Sequence, residues 1–111
     1  MDRLDRYPQI VRLLIEEYAS YKPAYGDIRT DAVVDRERDH YEVMEVGWHG
    51  DRRVHGSIIH IDIRNGKVWL EYNGTDARLG EAMVAAGIPR TDIVLGFQPE
   101  ELRALTGFGV G

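Results

Sequence analysis

The chain has no cysteine among its 111 residues and only two serines, Ser20 and Ser57. Without cysteine there is no disulfide framework, no thiolate metal site and no cysteine nucleophile, a composition that fits a reducing cytoplasm. Neither serine lies in a Gly-x-Ser-x-Gly elbow, which argues against a serine hydrolase. Glycine is plentiful, with 12 residues, yet no Gly-x-Gly-x-x-Gly joins a strand to a helix and no phosphate loop is present. No apolar run approaches the roughly 18 residues that span a bilayer. The N-terminus mixes charged and apolar residues in a way that does not suit a secretory signal.

A basic surplus is also missing. Nineteen acidic residues against 14 basic ones give a net charge of -5. The basic residues are interleaved with acids, as in Asp35-Arg36-Glu37-Arg38-Asp39, and Arg52-Arg53 is the sole adjacent basic pair. Phosphate neutralisation supplies most of the affinity of DNA-binding proteins, so direct nucleic-acid binding is expected to be weak or absent. The length suits a single domain over residues 1–111 with one core.

What is present begins with a helical stripe. Leu4, Tyr7, Val11, Leu14, Tyr18 and Tyr21 recur at spacings of three and four, and Ile10, Leu13 and Ile15 widen the apolar face. Pro8 is tolerated only near a helix start, so Asp5 is expected as N-cap, with a regular helix from about Arg6 to Ser20. From Ile28 the period changes to two, predicting strands near 28–36, 40–48, 53–64 and 67–73. Thr75 is expected to cap a helix carrying Leu79, Ala82, Met83 and Ala86, ended by Gly87 with Ile88 against Met83. Pro99 opens a last short helix that buries Leu102 and Leu105, and Phe108 anchors the tail. The fold class is α+β: a four-stranded antiparallel β-meander with an N-terminal helix and C-terminal helices packed on one face.

The richest segment is the hairpin around Asn65-Gly66, a strong signal for a two-residue type I′ turn. That turn sets Ile63 opposite Val68, Ile61 opposite Leu70 and Ile59 opposite Tyr72, which makes a core face. The other face pairs Asp62 with Trp69 and His60 with Glu71, and adds Ile58 and Val54. A two-residue loop at Gly50-Asp51 sends Met44, Val46 and Trp48 to the core and adds Tyr41, Val43, Glu45 and Gly47 to the His60/Asp62 face. A one-residue bulge swaps that assignment. The resulting face is too polar for a core and too apolar for free surface, the composition of a protein-binding patch. Its expected contact residues are His60, Asp62, Trp69, Glu71, Tyr41 and Val43.

The same residues bear on chemistry. His60 and Asp62 are two apart on one face, a spacing that presents two ligands to one ion, and Glu71 adds a carboxylate. His55 has the opposite parity and would need a bulge to join them. A cross-strand His60–Glu71 pair accounts for the same residues without an ion. No catalytic residue, metal or cofactor is expected, hence no enzyme, with a small metal-dependent enzyme on His60, Asp62 and Glu71 as an alternative.

Leu4-Asp5-Arg6-Tyr7, Tyr25-Gly26-Asp27-Ile28, Arg53-Val54-His55-Gly56, His60-Ile61-Asp62-Ile63, Gly66-Lys67-Val68-Trp69, Gly87-Ile88-Pro89, Asp92-Ile93-Val94-Leu95-Gly96-Phe97 and Thr106-Gly107-Phe108 follow one another in an order and spacing that resembles the XisI-like family of fdxN element excision controlling factors. The likeness runs from the first helix to the C-terminus. Relatives tend to have Asp-Gly-Thr and Phe-His-Pro-Pro where this chain has Asn73-Gly74-Thr75 and Phe97-Gln98-Pro99-Glu100. Gln98 cannot replace any chemistry carried by that histidine. The resemblance implies an accessory factor for site-specific excision of a DNA element, encoded beside a XisH-like protein that is similar to restriction-endonuclease folds. Binding of that partner, or self-association in its absence, then falls to the His60/Asp62 face. An architectural DNA-binding factor, using Arg36, Arg38, Arg52, Arg53 and Arg64, is the alternative from a different class.

Overall fold

The computed structural model describes the backbone of residues 3–23 and 25–111, with side chains from Arg6 onward. Helix α1 (Arg3–Ala19) is followed by strands β1 (Asp27–Asp35), β2 (His40–His49), β3 (Arg52–Arg64) and β4 (Lys67–Asn73), helix α2 (Leu79–Ala85) and strand β5 (Ile93–Leu95). Two 3-10 turns, Arg90–Asp92 and Glu100–Leu105, complete the C-terminal third. The sheet order is β1-β2-β3-β4-β5. The first four strands form the expected antiparallel meander. The fifth, unforeseen, runs parallel to β4, with Val68 beside Ile93 and Leu70 beside Leu95. A parallel neighbour needs a crossover, and α2 supplies it.

The turns obey their sequence signals. Asn65 and Gly66 both have positive φ, 52° and 74°, as a type I′ hairpin requires. Gly50 has φ 66°, and His49 pairs with Arg52 across a two-residue loop. At the other end of β2, Asp39 has φ 52°, and its carbonyl accepts the Ile63 N–H at 3.0 Å. That bond ties the β1–β2 turn to β3.

Helix α1 buries Tyr7, Val11 and Ile15, flanked by half-buried Ile10, Leu14 and Tyr18. Leu13 and Tyr21 are more than half exposed and fall outside the stripe. The helix begins before the expected position, which leaves Pro8 in its second turn. The cost of a missing helical N–H there is offset by packing, since Pro8 is itself buried. The Leu4 and Asp5 side chains lie outside the described residues.

Helix α2 ends as its sequence requires. Gly87 has φ 116°, and the Gly87 and Ile88 N–H groups donate to the Val84 and Met83 carbonyls, each at 3.0 Å. That pattern is a Schellman motif. Thr75 is not its N-cap, because the helix starts four residues later. Its hydroxyl instead donates to Asn73 at 2.6 Å and accepts the Ala77 N–H at 3.1 Å, closing the β4–α2 turn. The Glu100–Leu105 turn leaves Leu102 and Leu105 exposed rather than buried. Its anchor is Phe108, which packs against the core over Gly80.

The core lies between the helices and one sheet face: Tyr41, Val43, Ile59, Ile61, Val68, Leu70 and Ile93 meet Tyr7, Val11, Ile15, Leu79, Met83 and Ile88. Two bulges interrupt the ladders. Val43 pairs with Ile59 but Met44 with Ser57, so Ile58 is an extra residue in β3. Ile61 pairs with Leu70 but His60 with Tyr72, so Glu71 is extra in β4. The expected Ile59–Tyr72 and His60–Glu71 pairs are therefore displaced by one residue.

Candidate functional site

The first bulge decides which side chains share the open face. An extra residue in β3 reverses the facing of every β2 residue beyond it. Tyr41 and Val43 consequently point inward and are fully buried, which removes them from the expected contact surface. Their alternating neighbours His40 and Glu42 take the outer face instead, and His40 comes to lie opposite Asp62. Ile58 packs against the core rather than joining that face.

Four polar side chains meet there. His40 Nδ1 is 2.9 Å from Asp62 Oδ1, and His60 Nε2 is 3.0 Å from the same oxygen. The second nitrogen of His40, Nε2, is 2.9 Å from Glu42 Oε2. The two imidazoles meet edge to face with centroids 4.6 Å apart. Side-chain exposures of 22% to 36% leave all four within reach of solvent. The hydrogen bond to Glu42, joined by that to Asp62, raises the His40 pKa above the ordinary imidazole value against the opposing effect of burial. Burial pushes Glu42 upward, but hydrogen bonds involving His40 and Ser57 outweigh it and hold the carboxyl below its usual value. The result is a compact polar knot in which Asp62 bridges the two imidazoles and Glu42 holds the far nitrogen of His40.

Trp69 lies beside this knot, opposite Asp62 as expected. Two cations approach its ring, the Arg64 guanidinium at 3.9 Å and the Arg103 guanidinium at 5.2 Å from the ring centroid. Lys67 Nζ donates to the Gly111 carbonyl at 3.1 Å and draws the tail close to the indole. Glu71, the bulged residue, reaches Arg64 at 3.7 Å rather than His60. His55 is exposed and outside the knot. Further along the face stand Trp48 and Tyr72, each about half exposed (49% and 50%).

His60, Asp62 and Trp69 are neighbours on this face, as the hairpin register predicts, and His40 and Glu42 join them unforeseen. The missed signal was local. In His40-Tyr41-Glu42-Val43 the alternation itself assigns the histidine and glutamate outward, whereas register counted from the distant Gly50 turn carries through an unseen bulge. Gly56-Ser57 in mid-strand is the composition that marks such a site.

The family described as XisI protein matches residues 1–110 of this chain. No curated protein matches it. Among solved structures, a XisI-like protein from Anabaena variabilis ATCC 29413 is similar at 42% identity, covering 97% of this chain and 99% of that one with a TM-score of 0.91. The fdxN element excision controlling factor XisI from the same organism is similar at 34% identity, with coverage of 99% and 100% and a TM-score of 0.82. A match over nearly the whole length, in sequence and in fold together, makes this chain a member of the XisI family.

Proposed function

We propose that this protein is a non-catalytic accessory factor controlling site-specific excision of a DNA element. It acts by binding a XisH-like, nuclease-fold partner protein through the outer sheet face around His60, Asp62, Trp69 and Glu71. The excision role comes from family membership and from the solved relative described as an excision controlling factor. The observation that carries the binding role is the asymmetry of the sheet. One face is covered by α1 and α2, while the other presents half-exposed Trp48 and Tyr72 around a partly buried polar knot. A face of this composition is suited to a protein partner. In the partner's absence the same face pairs with a second copy.

Charge favours a protein partner over DNA. Arg29, Arg36, Arg38, Arg64 and Arg90 each sit within 4 Å of a carboxylate, so the charge of these five is locally balanced rather than offered to phosphates.

The test is co-purification with the XisH-like protein, followed by affinity measurement with His60→Ala and Tyr72→Ala. Both substitutions should weaken binding by at least about tenfold, the scale of an interface anchor, with unchanged circular dichroism. Trp69 is a poorer probe, because its ring also organises Arg64 and Arg103. Unchanged affinity in both variants rejects this face as the binding surface.

A further inference from the structure

We infer that His40, His60 and Asp62 form a site for a divalent late first-row transition metal, zinc foremost, with Glu42 orienting His40 from behind. The inference stands on the geometry of the knot and does not depend on the partner reading.

The starting point is a single atom. Asp62 Oδ1 is approached by His40 Nδ1 at 2.9 Å and by His60 Nε2 at 3.0 Å, from neighbouring strands whose backbones are fixed by the ladder. The three ligand atoms all lie within 4.8 Å of one another. Tetrahedral zinc with bonds of about 2.1 Å holds its ligands about 3.4 Å apart. The set therefore closes around an ion by a shift of about an ångström, within the reach of side-chain rotation. A proton on His40 serves one imidazole only, whereas a divalent ion lets two neutral imidazoles and one carboxylate share a centre. Two such rings already stand 4.6 Å apart.

Glu42 supplies the second line of evidence. It occupies the other nitrogen of His40 at 2.9 Å, so Nε2–H can donate to a carboxylate while Nδ1 is presented to the ion. This carboxylate–histidine–metal arrangement fixes the tautomer and strengthens the ligand. The donor set selects the metal. Two imidazole nitrogens with one carboxylate favour zinc, nickel or copper over magnesium or calcium, which prefer oxygen alone. Three protein ligands leave a position for water or for a donor from another molecule. That the knot is partly solvent-exposed gives the ion a path in.

The experiment is calorimetric titration of chelator-stripped protein with zinc chloride, with cobalt(II) absorption as a direct report on coordination. Binding should saturate at one ion per chain, and cobalt should give ligand-field bands that zinc abolishes. His40→Ala, His60→Ala and Asp62→Asn should each weaken binding at least about tenfold, while Glu42→Gln should cost about 10- to 100-fold with stoichiometry unchanged. His55→Ala should bind as the parent does. Circular dichroism separates lost ligands from lost fold, and His40→Gln serves where the alanine variant unfolds. Absence of saturable binding, or binding that survives both His40→Ala and His60→Ala, overturns the site. Zinc binding in a protein that captures no partner leaves this inference standing and removes the partner reading alone; capture by a protein that binds no zinc does the reverse.

Discussion

Two glycines in neighbouring strands predict opposite responses to a single methyl group. A Cβ on Gly47 would lie 2.1 Å from the Asp27 carbonyl oxygen and 2.7 Å from Ile28 Cα, both backbone atoms of the adjacent strand. Neither can swing aside as a side-chain tip could. Gly47→Ala should therefore destabilise the fold by about 1–3 kcal/mol, the usual cost of overpacking. Around Gly56 a Cβ would meet nothing within 4 Å among the described residues, and its φ is not positive. Gly56→Ala should be neutral or stabilising by up to about 1 kcal/mol through reduced chain entropy. Urea denaturation of the two variants side by side checks both expectations. At this scale His60, Asp62 and Trp69 were legible because the Asn65-Gly66 turn lies within five residues of them. His40 was not, because its position depends on an unpaired Ile58 in another strand, and only the alternation around Tyr41 hinted at it.

At the scale of elements, α2 and the tail depend on one another. Helix propensity alone says that Gly80→Ala stabilises a helix by about 1 kcal/mol. Here the added methyl would come within 2.9 Å of the Phe108 ring, so the gain should vanish or change sign. In a Phe108→Ala background the ring is gone and the propensity gain should return. A double-mutant cycle in chemical denaturation measures that coupling, with additivity of the two changes as the contrary result. Phe108→Ala alone should cost on the order of 2 kcal/mol, since the ring is only partly buried. Strands β1 to β4 were readable because turn residues and period-two alternation mark each of them. Strand β5 was not. Ile93-Val94-Leu95 is a short apolar run without a period, and its place beside β4 is set by the α2 crossover rather than by any turn.

For the whole molecule, charge is the property that decides partners. With a net charge of -5 and most of its described arginines held by carboxylates, the protein should show no steep salt dependence of binding to duplex DNA. Fluorescence anisotropy at low salt should give little signal from the protein alone; tight binding that falls sharply as salt rises would instead point to phosphate contacts. No helix among the described residues is long and apolar enough to cross a membrane.

The two edges of the sheet are finished differently. Beyond β5, Gly109 forms a parallel bridge with Val94 and donates its N–H to the Ile93 carbonyl at 2.7 Å. A side chain there would strike the Thr91 carbonyl at 2.4 Å, so the tail lies on that edge as a plug. At the opposite end, β1 is nine residues long and, among the described residues, pairs only with β2. Its defence is the charge of Asp27, Arg29, Asp31 and Asp35, a common guard against strand addition. A sheet stoppered at one end can extend only from the other. Strand addition is therefore decided at β1, where Asp27, Arg29, Asp31 and Asp35 guard the open ladder.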